Sequence, residues 1–226
     1  MDEIAYKKIV KDQFYQNLLS WKKSFIEGFC YDEYHCEVPW YSYKAIEFIK
    51  RFVKKNHRIF EFGCGSSTLF YANNASQVVS LESNKIWSKI IKEKLYQHNF
   101  KNSDFSEKKF NFIDNQNSQN FEKNDCKLTI NLMTDALTNN NYENFCENYS
   151  QKFDIIVVDS LKRHLCVVNS YKSLSENGIL ILDDSQRKNY QKTINFLVEK
   201  NFKKLDFIGI APGQLTIKNT SIFIKN

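Results

Sequence analysis

The chain has 226 residues, enough for one large domain whose core can form without a structural metal or a disulfide framework. A hydrophobic fraction of 42%, with 19 Phe and 12 Tyr, is typical of a globular protein and excludes a disordered chain. The net charge of +6 comes from scattered lysines rather than from a basic stripe with interleaved aromatic residues, so we expect no nucleic-acid partner.

Residues 1–44 are interpreted as a helical and aromatic cap segment that precedes a main domain over residues 45–226. Apolar residues at helical spacing predict a leading helix over 4–19, and the stretch 28–43 is irregular, aromatic and acidic. The first residues lack the apolar region of a secretory signal, and no apolar run approaches the ~20 residues of a membrane span. Six cysteines without a C-x-x-C pair predict reduced thiols. We therefore expect a cytoplasmic protein with no metal site and no membrane partner.

Helices and strands alternate through the rest of the chain. Apolar stripes predict helices over 45–53, begun by Ser42, and over 86–95, 165–174 and 190–198, the third closed by Asn177-Gly178. Residues 100–127 are polar and are interpreted as an insertion or a long loop, within which 110–113 (FNFI) competes with 127–133 for the third strand. The seven predicted strands are 58–62, 77–81, 127–133, 153–158, 179–182, 205–210 and 220–225.

This alternation predicts an α/β fold with a Rossmann-like, doubly wound sheet of seven strands. The interior strands are continuous apolar runs, as expected for parallel strands covered by helices on both faces. The connection between the last two strands is too short for the dozen or more residues that a crossover needs. We therefore expect a mostly parallel sheet whose last strand runs antiparallel to its neighbours.

Acidic residues and closely spaced glycines follow the predicted strands. Ligands of a doubly wound sheet bind beyond the carboxyl ends of the strands. Gly63 and Gly65 would let the backbone turn tightly and approach a ligand, and the following Ser-Ser-Thr opens a helix with free amides. The residues at these strand ends are Glu61, Gly63, Gly65, Glu82, Asp159, Asp183 and Asp184.

The turn G-x-G-x-x-T also matches a nicotinamide-dinucleotide fingerprint, but a single match of this kind is weak. Thr68 replaces the third glycine, and Glu61 would repel a pyrophosphate while attracting a cation. S-adenosylmethionine carries a sulfonium and an ammonium group, so an acidic residue near this turn favours that cofactor. Glu82, at the end of the second strand, is placed to accept both ribose hydroxyls.

At these residues the chain resembles the class I S-adenosylmethionine-dependent methyltransferases. The resemblance covers residues from about Pro39 to the C terminus and is greatest to a poorly characterised bacterial branch of small-molecule methyltransferases. It implies the fold of that family, S-adenosylmethionine as cofactor with S-adenosylhomocysteine as product, and a place in surface-polysaccharide (capsule) modification. The motifs that carry it are Pro39-Trp40, EFGCGSST (61–68) with VVSLE (78–82), VDSLKR (158–163), DDSQR (183–187) and TSIF (220–223). Ser160, where the branch usually has Gly, and Asp184, where it often has Asn, depart from the pattern.

Each candidate site residue has a structural alternative. Asp159 is expected to contact the substrate or the methionyl ammonium, or else to cap the next helix, and His164 is a candidate base or a solvated side chain. One of Asp183 and Asp184 is expected to line the acceptor pocket while the other caps a helix. The cofactor residues are Glu61, Gly63, Cys64 (as a small side chain), Gly65, Ser67, Thr68, Glu82, Asp135 (adenine) and Asp159, and the substrate residues are Trp40 and Tyr41 (a lid, or plain packing), Arg163, Asp183, Asp184 and Arg187.

The sequence therefore predicts methyl transfer to a small molecule, most simply to an oxygen of a sugar or a phosphorylated intermediate. An anionic acceptor is suggested by Arg163 and Arg187, since arginine is rare in this lysine-rich chain and its planar fork suits carboxylate and phosphate. Two alternatives remain open: a nicotinamide-dependent oxidoreductase, and a module that binds the cofactor without turnover.

Overall fold

The computed structural model of the protein describes residues 18–103 and 118–225. Residues 18–27 form helix α1, and a single β-bridge joins Tyr31 to Glu37 in the segment that follows. The predicted helix over 4–19 lies almost entirely outside the described residues, and the helix seen here extends past its predicted end. None of the helices in the described parts of the chain is long and apolar enough to span a membrane.

Helices and strands alternate from residue 43 onward, as predicted. The helices are α2 (Tyr43–Phe52), α3 (Ser66–Asn74), α4 (Lys85–Gln97), α5 (Asn141–Asn144), α6 (Arg163–Ser170) and α7 (Gln191–Glu199). The strands are β1 (Arg58–Phe62), β2 (Gln77–Glu82), β3 (Lys101–Asn102), β4 (Ser118–Lys123), β5 (Cys126–Leu132), β6 (Phe153–Val158), β7 (Leu174–Leu182), β8 (Phe202–Gly209) and β9 (Lys218–Lys225).

All of these strands belong to one mixed sheet with the order β3-β4-β5-β2-β1-β6-β7-β9-β8. The five central strands, from β5 to β7, are parallel, and β9 lies antiparallel between β7 and β8. The expected antiparallel last strand is therefore confirmed. Chain order reverses between β1 and β6, so the carboxyl ends of these strands form the crevice at which such sheets bind ligands.

The prediction of seven strands is wrong, because residues 101–102 and 118–123 pair as two additional antiparallel strands at one edge. Asn124 and Asp125 both have positive φ, 49° and 64°, which is the conformation of a two-residue hairpin turn. This turn joins β4 to β5. Strand β4 then pairs with the outer edge of β5, which would otherwise be unpaired. The competing segment 110–113 lies outside the described residues, and β5 lies at the predicted third strand.

The third predicted helix is also too long. It ends at Ser170, a 3₁₀ turn follows, and Leu174 already pairs with Phe153 as the first residue of β7. Asn177 has the positive φ expected of a helix end, 61°, but it lies inside a strand where the pairing with β6 shifts register. The Asn177-Gly178 pair, which the sequence predicted to end a helix, therefore forms a β-bulge.

Two hydrophobic layers cover the sheet. Side chains alternate between its faces, so Ile59 of β1 packs with α2, α3 and α4, whereas Phe60 and Phe62 pack with α5, α6 and α7. The N-terminal end of α2 also closes the β8 edge, because the Ser42 hydroxyl donates to the Phe207 carbonyl at 2.7 Å and the Tyr43 amide donates to the Ile210 carbonyl at 3.0 Å. The strand ends at the crevice remain open for a ligand.

Candidate functional site

The turn after β1 depends on the absence of a side chain at Gly63. Its φ is +97°, and a Cβ built there would lie 2.5 Å from the Asp159 carbonyl oxygen. Gly65 is different, since its φ of −178° is ordinary extended backbone and a Cβ would come no closer than 3.9 Å to any neighbour. Gly63 is therefore required by the fold, whereas Gly65 leaves space in front of α3.

That space belongs to a cavity of about 360 Å³ at the carboxyl ends of β1, β2 and β6. Among the described residues, Glu82 and Asp159 are the only carboxylates that line it, and none of the lining residues is Lys, Arg or His. The cavity is thus anionic in character. Its lining consists of Gly28, Phe29, Trp40, Gly63, Cys64, Gly65, Ser66, Ser67, Glu82, Asn84, Trp87, Val157 and Asp159.

Glu82 is held rigidly at the mouth of the cavity. One carboxylate oxygen accepts from the Cys64 amide at 2.9 Å, and the other accepts from the amides of Ser83 and Asn84 at 2.8 and 2.7 Å. These amides use three of the about four lone-pair sites of the carboxylate, so the oxygen that accepts from Cys64 keeps acceptor capacity for a ligand. The same contacts join the end of β2 to the glycine turn, so Glu82 both shapes the turn and presents acceptors to a ligand.

Glu61 lies behind the turn and does not line the cavity. Its Oε2 accepts from the hydroxyls of Thr68 and Ser80, both at 2.8 Å, while Oε1 is buried and has no hydrogen-bond partner among the described residues. Burial raises the pKa of Glu61 to about 7. The carboxylate predicted to attract a cation is therefore fully enclosed, and half of its acceptor capacity is unused.

This burial predicts a pH-dependent cost. The folded pKa of about 7 exceeds the ordinary value of 4.5, so the free energy of unfolding should fall as the pH rises from 4.5 to 7. At about 1.4 kcal/mol per pKa unit the loss is roughly 3 kcal/mol. Glu61→Gln carries no titrating group, so urea unfolding should show the variant gaining this amount relative to the original protein between pH 4.5 and 8. The exposed control Glu93→Gln should instead change stability with pH in parallel with the original protein. The same parallel behaviour in Glu61→Gln would contradict the prediction.

A network of alternating charges lies beyond the carboxyl ends of β6 and β7. Arg163 is buried, and its guanidinium donates to the Asp159 carboxylate at 2.7 Å and to the carbonyls of Ser160 and Asp183. Arg187 is half-exposed and pairs with Asp184. Arg163 is therefore bound by protein partners, and of the two arginines suggested for an anionic acceptor only Arg187 has an exposed side chain.

The helix caps suggested for this region are absent from the described residues, and the candidate base His164 does not line the cavity. Asp159 is bound to Arg163, and no side chain caps α6 or α7. His164 faces α7, where its Nδ1 lies 3.0 Å from the Thr193 hydroxyl. Asp183 is buried and accepts from Lys218 and, at 2.8 Å, from Thr220.

Two further predicted residues lie away from the cavity lining. Tyr41 is only 1% exposed and its hydroxyl lies 3.3 Å from that of Tyr71, so it is a core residue beneath the crevice. Asp135 follows β5 at the same sheet edge, but it is exposed and its carboxylate accepts from the Asn139 amide side chain. Trp40, Cys64, Ser67 and Asp159 do line the cavity, together with both glycines and Glu82.

The sequence analysis missed the aromatic wall opposite Glu82. Trp87 of α4 donates its indole N–H to the Cys64 carbonyl, and Phe29 lies against it with ring centroids 6.1 Å apart. Asn84 begins α4 by accepting from the amides of Ile86 and Trp87. The Ser-Asn pair after the second strand was a readable helix start, whereas the approach of Phe29 from the N-terminal segment had no local signal.

No protein-family model matches the sequence, and no curated protein matches it. Solved structures show the fold. A Staphylococcus aureus protein assigned as a caffeoyl-CoA O-methyltransferase shares 16% identity over 99% of this chain and 100% of its own, with a TM-score of 0.58. The precorrin-6y C5,15-methyltransferase of Geobacter metallireducens shares 11% identity over 81% of this chain and 87% of its own, with a TM-score of 0.54. An rRNA methylase of Streptococcus thermophilus shares 12% identity over 81% of this chain and 95% of its own, with a TM-score of 0.52. The chain therefore has a fold that these methyltransferases share.

Proposed function

We propose that this protein is an S-adenosylmethionine-dependent methyltransferase. The observation that carries the proposal is the cavity at the first strand-to-helix turn, which is lined by Glu82 and Asp159 and, in the described parts of the chain, by no basic side chain. Such a lining suits a ligand with positive charge and ribose hydroxyls. The similarity of the fold to methyltransferases with different acceptors supports the same reaction class.

The residues present fit this cofactor. Gly65 leaves room that a Cβ would fill, the Glu82 carboxylate would hold the ribose hydroxyls, and Asp159 would face the methionyl ammonium. The amides at the start of α3 would meet the carboxylate. When bound, S-adenosylmethionine supplies a methyl group on a positively charged sulfur. The protein's own residues then orient the acceptor and exclude water, a contribution of roughly 7–11 kcal/mol in well-aligned reactions.

The nicotinamide alternative fits less well. The Gly65 amide donates to the Thr68 hydroxyl at 3.0 Å and is not free for a phosphate oxygen. Thr68 is itself buried and bonded to Glu61. A pyrophosphate in this cavity would lie beside two carboxylates without a basic partner, which costs affinity.

For the acceptor we propose a small molecule with a reactive oxygen, such as a sugar or a phosphorylated intermediate. Arg187, 54% exposed at the crevice, is the group in this network with the most freedom to bind an anion. With His164 bonded to Thr193, Asp159 is the carboxylate of the cavity lining, besides the amide-bound Glu82, that could assist loss of an acceptor proton. A role in surface-polysaccharide modification rests on the sequence resemblance.

Isothermal titration calorimetry with S-adenosylhomocysteine, NAD and NADP separates these hypotheses. We expect binding of S-adenosylhomocysteine and none of the dinucleotides, and the reverse result would overturn the proposal. A screen of sugar and sugar-phosphate acceptors with methyl-labelled S-adenosylmethionine then tests turnover. Binding without transfer to any acceptor would favour the module that binds the cofactor without catalysis.

A further inference from the structure

Lys218, the first residue of β9, is a buried cation that no sequence pattern indicated. Its side chain is 5% exposed, and its ammonium contacts one carboxylate oxygen of Asp183 and lies 3.3 Å from Asp184. The same ammonium donates to the backbone carbonyl of Trp40 at 2.8 Å. Lys218 therefore joins the end of β7 to the segment that precedes α2.

The ion pair between Lys218 and Asp183 is charged at neutral pH. Burial disfavours the ammonium, but Asp183 and Asp184 outweigh that effect and raise the pKa of Lys218. Burial and the nearby Asp159 raise the pKa of Asp183, whereas the Lys218 ammonium lowers it. Both oxygens of Asp183 accept hydrogen bonds, from Lys218 and Thr220. A proton on the carboxylate would therefore occupy an oxygen that now accepts one of these bonds. We therefore assign an ammonium and a carboxylate.

Thr220 repeats the same connection two residues along β9, on the same face of the strand. Its hydroxyl donates to Asp183 at 2.8 Å and accepts from the Ser42 amide at 3.2 Å. Trp40 and Ser42 are thus both fixed to Asp183 through β9. The main chain on either side of Tyr41 has no freedom to shift without breaking these bonds.

Trp40 is the part of this segment that reaches the cavity. It lines the cavity together with Asp159, and its indole N–H is buried without a hydrogen-bond partner among the described residues. An unpaired buried donor is destabilising, and a bound oxygen acceptor would offset that cost. Such a donor is useful only if its position is fixed before the ligand arrives.

We propose that Lys218 is a positioning residue for methyl transfer. It acts through Trp40 and Asp183, holding the indole against the cofactor cavity and the carboxylate at the acceptor side, without itself contacting either ligand. This role rests on the proposed function. Displacements of about 1 Å can reduce the rate of an oriented reaction by about 100-fold, so such a clamp matters for catalysis as well as for binding.

The test compares Lys218→Met with the double variant Lys218→Met/Asp183→Asn. The single variant leaves a buried unpaired carboxylate and should lower Tm, whereas replacing both partners should restore most of it. Lys204→Met, which removes a half-buried lysine paired with Asp206 on β8, is the matched control. The protein is labelled with 5-fluorotryptophan, and Trp40→Phe assigns the fluorine resonance of Trp40.

In the double variant we expect a shifted or broadened Trp40 resonance and S-adenosylhomocysteine binding about tenfold weaker, despite the recovered Tm. A wild-type resonance and wild-type affinity in that variant would overturn the proposal and leave Lys218 a purely structural residue. If the wild-type protein itself does not bind S-adenosylhomocysteine, the proposed function fails. The Trp40 resonance then decides the positioning role alone, with a shift in the double variant supporting it and an unchanged signal overturning it.

Discussion

An alanine at position 63 is expected to reduce the free energy of unfolding by roughly 2–6 kcal/mol. The positive φ of Gly63 costs about 1–3 kcal/mol for any other residue. A Cβ placed 2.5 Å from the Asp159 carbonyl adds about 1–3 kcal/mol, because that oxygen belongs to the main chain between β6 and α6 and cannot rotate away. Urea unfolding monitored by circular dichroism measures the loss directly.

The matched control for this change is Gly65→Ala, two residues along the same turn. Its extended backbone and open surroundings predict an unchanged free energy of unfolding. The added methyl group projects beside Ser67 and Trp87 at the cavity, so S-adenosylhomocysteine should bind more weakly. Equal destabilisation by the two substitutions would show that the close approach at Gly63 is not what shapes the turn.

Glu82→Ala is expected to weaken binding of S-adenosylhomocysteine by about 100-fold or more. Two hydrogen bonds from ribose hydroxyls to a carboxylate are worth about 3 kcal/mol together at the low end of the usual range. The amides of Cys64, Ser83 and Asn84 also lose their acceptor, so the turn itself should relax. Titration calorimetry measures the affinity, and a thermal melt reports the accompanying loss of stability.

Glu93→Ala removes the same charge from an exposed position on α4 and should leave the affinity unchanged. If Glu82→Ala binds S-adenosylhomocysteine as tightly as the original protein, Glu82 has only a structural role in the turn. The ribose assignment, and with it the orientation of the cofactor in the cavity, would then be wrong.

Local patterns in the sequence were sufficient for the central sheet. Continuous apolar runs such as FDIIVV identify buried parallel strands, because both faces are covered, and the short connection before the last strand dictates its antiparallel direction. The glycine turn and Glu82 could be read in the same way, since a strand end followed by Gly-x-Gly has few structural explanations. These features depend on neighbours within about twenty residues.

The features that the sequence analysis missed depend on distant contacts or on weak local signals. The edge strands β3 and β4 bury little more than Phe121, so their strand signal is faint, and only the Asn124-Asp125 turn between β4 and β5 marks this region. Lys218 resembles any other lysine in a chain with 32 basic residues until Asp183 and Trp40 surround it. Arg163 was predicted to contact a ligand because its partners after β7, Asp183 and Asp184, cannot be seen from its own segment.

The bonds that fix the segment around Trp40 set the order in which this molecule can be assembled. Lys218 and Trp40 are 178 residues apart, and Ser42 reaches Phe207 across 165 residues. A ribosome must therefore release the chain through Lys218 before that wall of the cavity can close, however early the first strand and helix form. A nascent chain halted before β9 would carry the glycine turn but not the completed enclosure, so ligand capture requires β9.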